Sequence, residues 1–340
     1  MRKILGFRLN LFVFNIEAGD LLEIFFLSAV SSLLIVRAFL EITGYPRLGG
    51  GQLHIAHMLW GGLFMMLALV MAMVFLNKEA KKLTALFGGI GFGIFIDELG
   101  KFITSDNNYF FQPAIALIYV IFVLFFFAMR LGEKLIRLSD KDYTVNALEI
   151  AKEVVLYDLD EQEKKKALFF LSQASSKSPV VKPLKKMLLE IKPQSSAIPN
   201  LLSVIRSFLH KNYLNIIKNK WFATILVLLF VSLSLLGLAI SGFQFTPKMP
   251  FADWGLFISS LISGALVLGG VYFWQRRKRL AAYEMFKRAV LVSIFLTQFF
   301  LFYKEQLSAI FILFANIAVL TACRYFIEQE KFVLEVKNHF

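Results

Sequence analysis

Long apolar runs separated by short polar connections make up most of this chain, with one extended polar stretch in the middle. Eight of the runs approach the ~20 residues that carry an α-helix across ~30 Å of hydrocarbon. Four fall in the first half, at 20–41, 53–76, 83–103 and 111–131, and four in the second, at 221–242, 253–275, 286–303 and 307–323. The last two are short, so a re-entrant or interfacial hairpin stays open for them. The pattern predicts an all-α, polytopic helical membrane protein of about eight transmembrane helices in two four-helix blocks. The expected organisation is an N-terminal segment 1–19, a first block 20–131, a cytoplasmic helical insert 132–218, a second block 219–323 and a tail 324–340.

The insert carries apolar residues at helical spacing: Leu148, Ala151 and Val155, then Ala167, Phe170, Leu171 and Ala174. The order Ala167, Leu171, Ala174, Pro179 resembles the second helix and closing proline of a tetratricopeptide repeat, without the aromatic and glycine landmarks of the first helix. One such unit cannot bury its own apolar face, so a small helical bundle packed on the membrane domain is expected. A further amphipathic stretch, "IPNLLSVIRSFLHKNYLNIIKN", is expected along the inner membrane surface.

Composition strengthens the membrane reading. The chain has 340 residues, is 58% hydrophobic and contains 38 Phe, more apolar side chain than a soluble domain hides. Its net charge of +13 does not point to nucleic acid, because Lys and Arg flank the apolar runs. Arg2, Lys3 and Arg8, then "NKEAKK", "MRLGEKLIRLSDK", "QRRKRL" and the tail all fall on one side of the predicted topology. That asymmetry places both termini in the cytoplasm, with membrane lipids as the constant partner. The N-terminus lacks the pattern of a cleaved signal. A lone Cys323 excludes an intrachain disulfide and a multi-cysteine zinc site. The oligomeric state stays open.

Candidate chemistry concentrates in "GGIGFGIFIDELGKFITSDNNYF", where a glycine-rich apolar run turns ionic at Asp97, Glu98 and Lys101. The topology brings Arg37 of the first span, His57 of the second and Asp97 and Glu98 of the third to one depth in the outer leaflet. His54, three residues before His57, shares its helical face nearer the surface. Charges at such depth are costly unless paired, so the layer needs a reason. Structural ion pairs are one: Lys101 is i,i+4 from Asp97 and i,i+3 from Glu98, and Arg37 would neutralise the other carboxylate. A metal site is a second, with His54, His57, Asp97 and Glu98 offering a ligand set for zinc or iron and Asp97 or Glu98 acting as catalytic carboxylate. A proton-sensitive or proton-coupled transport role is a third. Between the halves no repeat is visible, and the second offers only Ser232, Ser234, Thr297, Gln298 and Asn316 as notable polar groups, which weighs against alternating access.

The glycines Gly61, Gly62, Gly89 and Gly93, the last two in GxxxG spacing, are expected to form a packing seam between spans two and three. They match no phosphate- or dinucleotide-binding loop, and no cofactor of that kind is implied. The loop "TSDNNYFFQP" is read as a capped interfacial turn rather than a cation site.

The blocks "HIAHMLWGG" and "GGIGFGIFIDELGKFITSDNNYFFQPA" resemble paired HxxH and IDExGKF-type blocks of uncharacterised bacterial polytopic membrane proteins. The likeness covers about residues 52–115 and implies a bacterial inner-membrane protein in which the two blocks act as one unit. It implies no activity. Two functions therefore stay open: a scaffold or sensor whose insert, 132–218, binds a protein partner, and a metal-dependent membrane enzyme, with transport as a third.

Overall fold

The computed structural model describes residues 3–4, 7–8, 12–45, 56–135, 138–175, 178–192, 220–243, 246 and 249–338. Within them the chain is helical, apart from a two-residue antiparallel pairing of β1 (Lys3–Ile4) with β2 (Phe7–Arg8). Four helical segments are long and apolar enough to cross a membrane: Ala18–Thr43, Ala114–Gly132, Phe251–Gln275 and Arg279–Lys331. Met58–Val74 is a shorter apolar helix. Two compact units divide the chain, one formed by Met1–Glu98 with Leu124–Asn200, the other by Leu99–Val123 with Leu201–Phe340.

In the first unit, α1 (Ala18–Thr43), α2 (Met58–Val74) and α3 (Lys78–Asp97) form a layer with α3 in the middle. Glycine allows that position. A Cβ on Gly89 would lie 2.3 Å from the Phe25 carbonyl oxygen of α1, and one on Gly93 would lie 2.1 Å from that of Ala29. On the other side, a Cβ on Gly61 of α2 would lie 2.7 Å from the Gly91 carbonyl oxygen. The GxxxG pair thus packs on α1, not on α2 as the sequence suggested. Gly91 serves α2 instead, because two residues on a helix are rotated by about 200° and so face the opposite neighbour. Gly62 faces open space. Ser32 adds a hydrogen bond across the first seam, donating to the Ile90 carbonyl at 3.1 Å.

After α3 the chain continues through α4 (Leu99–Ile103) and α5 (Ala114–Leu135) to the insert helices α6 (Asp140–Ala151), α7 (Glu161–Gln173) and α8 (Val181–Glu190). Capping boxes open α6 and α7: Ser139 with Asp142, and Asp160 with Glu163. The shared core holds Ala147, Ile150, Ala151, Phe170, Leu171 and Leu188. The face of α6 therefore differs from the one expected, since Leu148 and Val155 are exposed. The helix stops at Ala151, a 3-10 turn covers Lys152–Val154, and Tyr157 takes a left-handed φ of 57°. Val155 consequently leaves the helical register.

The bundle also grips the segment ahead of α1. Asn146 donates its side-chain amide to the Phe14 carbonyl at 2.7 Å and accepts from the Ile16 N–H at 2.9 Å. Asp142 accepts from the Phe14 N–H at 3.1 Å. Both side chains are buried, so these backbone groups have partners where water is excluded.

In the second unit, α9 (Lys220–Phe243) and α10 (Phe251–Gln275) pack with α11 (Arg279–Val292), a π turn (Ser293–Thr297), α12 (Gln298–Glu305) and α13 (Ile310–Asn338). Gln306 takes φ 51°, and there the chain folds back. Tyr283 stacks on Phe326 at 4.7 Å, Asn316 donates to Ser293 Oγ at 3.0 Å, and Gln298 donates to the Ala309 carbonyl at 2.8 Å. Those three contacts define an antiparallel hairpin running through the last two predicted apolar runs.

Candidate functional site

Three elements of the first unit meet at the C-terminal end of α3. Asp97 is its last residue, and Glu98 stops the helix with φ −85° and ψ 12°. Both carboxylates are fully buried, and Arg37 of α1 is 6% exposed. Arg37 Nε pairs with Asp97 Oδ1, and its Nη2 donates to the Asp97 carbonyl at 3.0 Å. His57, at the N-cap of α2, lies between the two acids. Its Nε2 is 2.9 Å from Asp97 Oδ2 and its Nδ1 is 2.8 Å from Glu98 Oε1. The His57 backbone N–H also donates to Glu98 Oε1 at 3.1 Å, placing a carboxylate at the positive end of the α2 dipole.

This geometry favours one protonation pattern. A carboxylate oxygen faces each ring nitrogen, and an ionised carboxylate only accepts. With both carboxylates ionised, both contacts are favourable only when both nitrogens carry a proton, which is the imidazolium form. The four groups then comprise two cations and two anions. A neutral imidazole would set a lone pair against one carboxylate at under 3 Å.

The same geometry bears on metal chemistry. Asp97 and Glu98 take opposite edges of the imidazole ring, so His57, Asp97 and Glu98 do not converge on one point. His54 lies outside the described residues. Among the described residues the set whose ligand atoms lie within 4.8 Å of one another is a different one, Glu79, Glu153 and Asp158.

No family model, curated protein or solved structure matches the chain.

Lys101 was expected to neutralise Asp97 or Glu98. Its ammonium lies 5.4 Å from the centre of the Tyr109 ring, a cation–π contact. α3 breaks at Glu98, so regular i,i+4 helix geometry does not run from Asp97 to Lys101. In the loop that follows, Thr104 Oγ1 accepts from the Asn108 N–H at 2.7 Å and Asn108 Oδ1 from the Phe110 N–H at 2.9 Å. These side chains serve the turn.

A second ionic network, at the opposite end of α3, was not anticipated. Lys78 Nζ donates to Glu163 Oε1 at 2.8 Å, lies 2.9 Å from Asp158 Oδ2 and donates to the Asp158 carbonyl at 3.2 Å. Lys81 pairs with Glu149, which Lys152 also reaches, and Lys152 donates to the Leu76 carbonyl at the end of α2. Burial alone would raise the Glu149 carboxyl, but hydrogen bonds from Lys152 and Lys81 outweigh it and hold it below the usual range. Burial would likewise lower Lys78, and its bonds to Glu163 and Asp158 reverse the sign and raise it. The signal was present in the sequence as basic "NKEAKK" opposite acidic "DLDEQ". Basic residues beside an apolar run are ordinarily assigned to lipid, which hid their partners.

Proposed function

We infer that this chain is a non-enzymatic integral membrane protein, a scaffold or sensor, in which Arg37, His57, Asp97 and Glu98 form a proton-dependent clamp on three helices. The placement of His57 between two buried carboxylates, one on each ring nitrogen, carries the reading. A group that must hold two protons to satisfy its neighbours suits a pH-responsive lock better than a metal ligand, which needs a bare nitrogen. Eight spans in two blocks, with the termini and the 132–218 insert in the cytoplasm of a bacterial cell, complete the proposal. Hydropathy and the distribution of Lys and Arg support that arrangement. The insert is the surface offered to a protein partner.

The competing reading is a zinc or iron enzyme at His54, His57, Asp97 and Glu98. Metal analysis of the purified full-length protein, repeated on His57→Ala, separates the two. The clamp predicts no zinc or iron that depends on His57, and a clear loss of thermal stability in the variant. One zinc or iron per chain, lost in His57→Ala, would overturn it in favour of the enzyme.

A further inference from the structure

The first turn of α3, the 3-10 turn Lys152–Val154 and the loop after it bring three carboxylates together. Ligand oxygens of Glu79, Glu153 and Asp158 all lie within 4.8 Å of one another. Glu79 is exposed, Asp158 is half-buried and Glu153 is only 2% exposed. The loop is closed by the Asp158 N–H donating to the Glu153 carbonyl at 3.0 Å, which holds the two acids on one side of the turn.

Glu153 is the unusual member. Its Oε2 is buried and accepts no hydrogen bond. Lys78 is the nearest cation, but its ammonium stays 4.0 Å from that oxygen. The reason is donor counting. An ammonium has three protons, and Lys78 already serves Glu163, the Asp158 carboxylate and the Asp158 carbonyl. A buried carboxylate oxygen left in this way costs free energy until a proton or a cation reaches it. Burial accordingly pushes the Glu153 carboxyl up, with Lys78 only partly offsetting it.

We propose that Glu79, Glu153 and Asp158 form a binding site for a hard divalent cation that ties the start of α3 to the insert. An all-oxygen, all-carboxylate set favours magnesium, calcium or manganese over metals that prefer nitrogen or sulfur. Oxygens opposed across a calcium ion lie roughly 4.8 Å apart, from two bonds of about 2.4 Å, so oxygens all within 4.8 Å of one another fit inside one coordination sphere. Charge selects valence. With Glu163, the other partner of Lys78, and Lys82, which pairs with Glu79, included, four carboxylates and two ammoniums sum to −2, which a divalent ion neutralises. On binding, Lys78 gives up Asp158 and keeps Glu163. This site is independent of the His57 clamp, and the two stand or fall separately.

The full-length protein in detergent, stripped with EDTA and titrated with Mn²⁺ by electron paramagnetic resonance, tests the site. One saturable Mn²⁺ per chain is expected, displaced by excess Ca²⁺ or Mg²⁺. Glu153→Gln and Glu79→Gln should each weaken it by ~10-fold or more, since even outer-shell partners of a metal are worth ~10–100-fold. The exposed Glu79 keeps the test valid if the buried Glu153 variant fails to fold. No saturable Mn²⁺ at millimolar concentration, or binding that survives Glu79→Gln unchanged, would overturn the proposal.

Discussion

The two ends of α3 use similar residue types for opposite purposes. At Asp97 both carboxylates and Arg37 are buried, and Arg37 and His57 face the two acids at hydrogen-bond distance. At Lys78 the network is half-exposed, spans α3, α6 and α7, and leaves a carboxylate oxygen without a hydrogen bond. Burial makes the difference. A buried pair contributes little over an apolar alternative but is costly to break, because the survivor is stranded. An exposed pair is screened, cheap to lose and free to exchange partners. The first arrangement suits a lock, and the second suits an adjustable joint.

Breaking the buried end should have the largest effect. Asp97→Asn removes the buried carboxylate charge that faces Arg37 and His57 and should destabilise the protein by about 3–5 kcal/mol in thermal or denaturant unfolding in detergent. A loss under 1 kcal/mol would mean the cluster is not holding the helices. Next comes the seam between the two ends. Gly93→Ala drives a methyl into the α1 backbone and should cost about 1–3 kcal/mol or more, whereas Gly62→Ala should be neutral or stabilising by up to about 1 kcal/mol. Equal effects at both positions would contradict the packing described for α3.

Asn146→Ala removes the grip on Phe14 and Ile16, and about 1–3 kcal/mol is expected, read as faster amide hydrogen exchange in residues 14–17. Smaller still, Lys81→Met should cost at most about 1 kcal/mol, shrinking further in high salt. Acid should act on the same end. The Glu149 carboxyl is held low, so its stabilisation is present above the ordinary carboxylate value, about 4.3, and is lost as pH falls through the lower folded value. Glu153, pushed up by burial, works in the opposite sense: its contribution is present at low pH and lost as pH rises. Replacing Glu149 with Gln should therefore remove the acid-side loss and leave the Glu153 trend.

Much of this architecture was legible from residue order. Apolar runs about 20 residues long mark the helices, and charges at matching depths bring Arg37, His57, Asp97 and Glu98 into one layer. What escaped depends on local breaks and on rotation about a helix axis. Nothing in "IDELGK" marks that the helix stops at Glu98. Gly89 and Gly93 declare a close approach but not the neighbour that makes it. The bundle core shifted to Ala147 and Ile150 because α6 ends at Ala151, ahead of the Tyr157 turn. The Lys78 network joins segments some 80 residues apart, and no local pattern reveals that partnership.

Nitrogen-15 NMR of the His57 ring in the full-length protein tests the clamp most directly. Protons on both ring nitrogens at neutral pH, with shifts that collapse to the free-histidine pattern in Asp97→Asn, are the expected result. A neutral His57 with one bare nitrogen under those conditions would contradict the double-donor clamp.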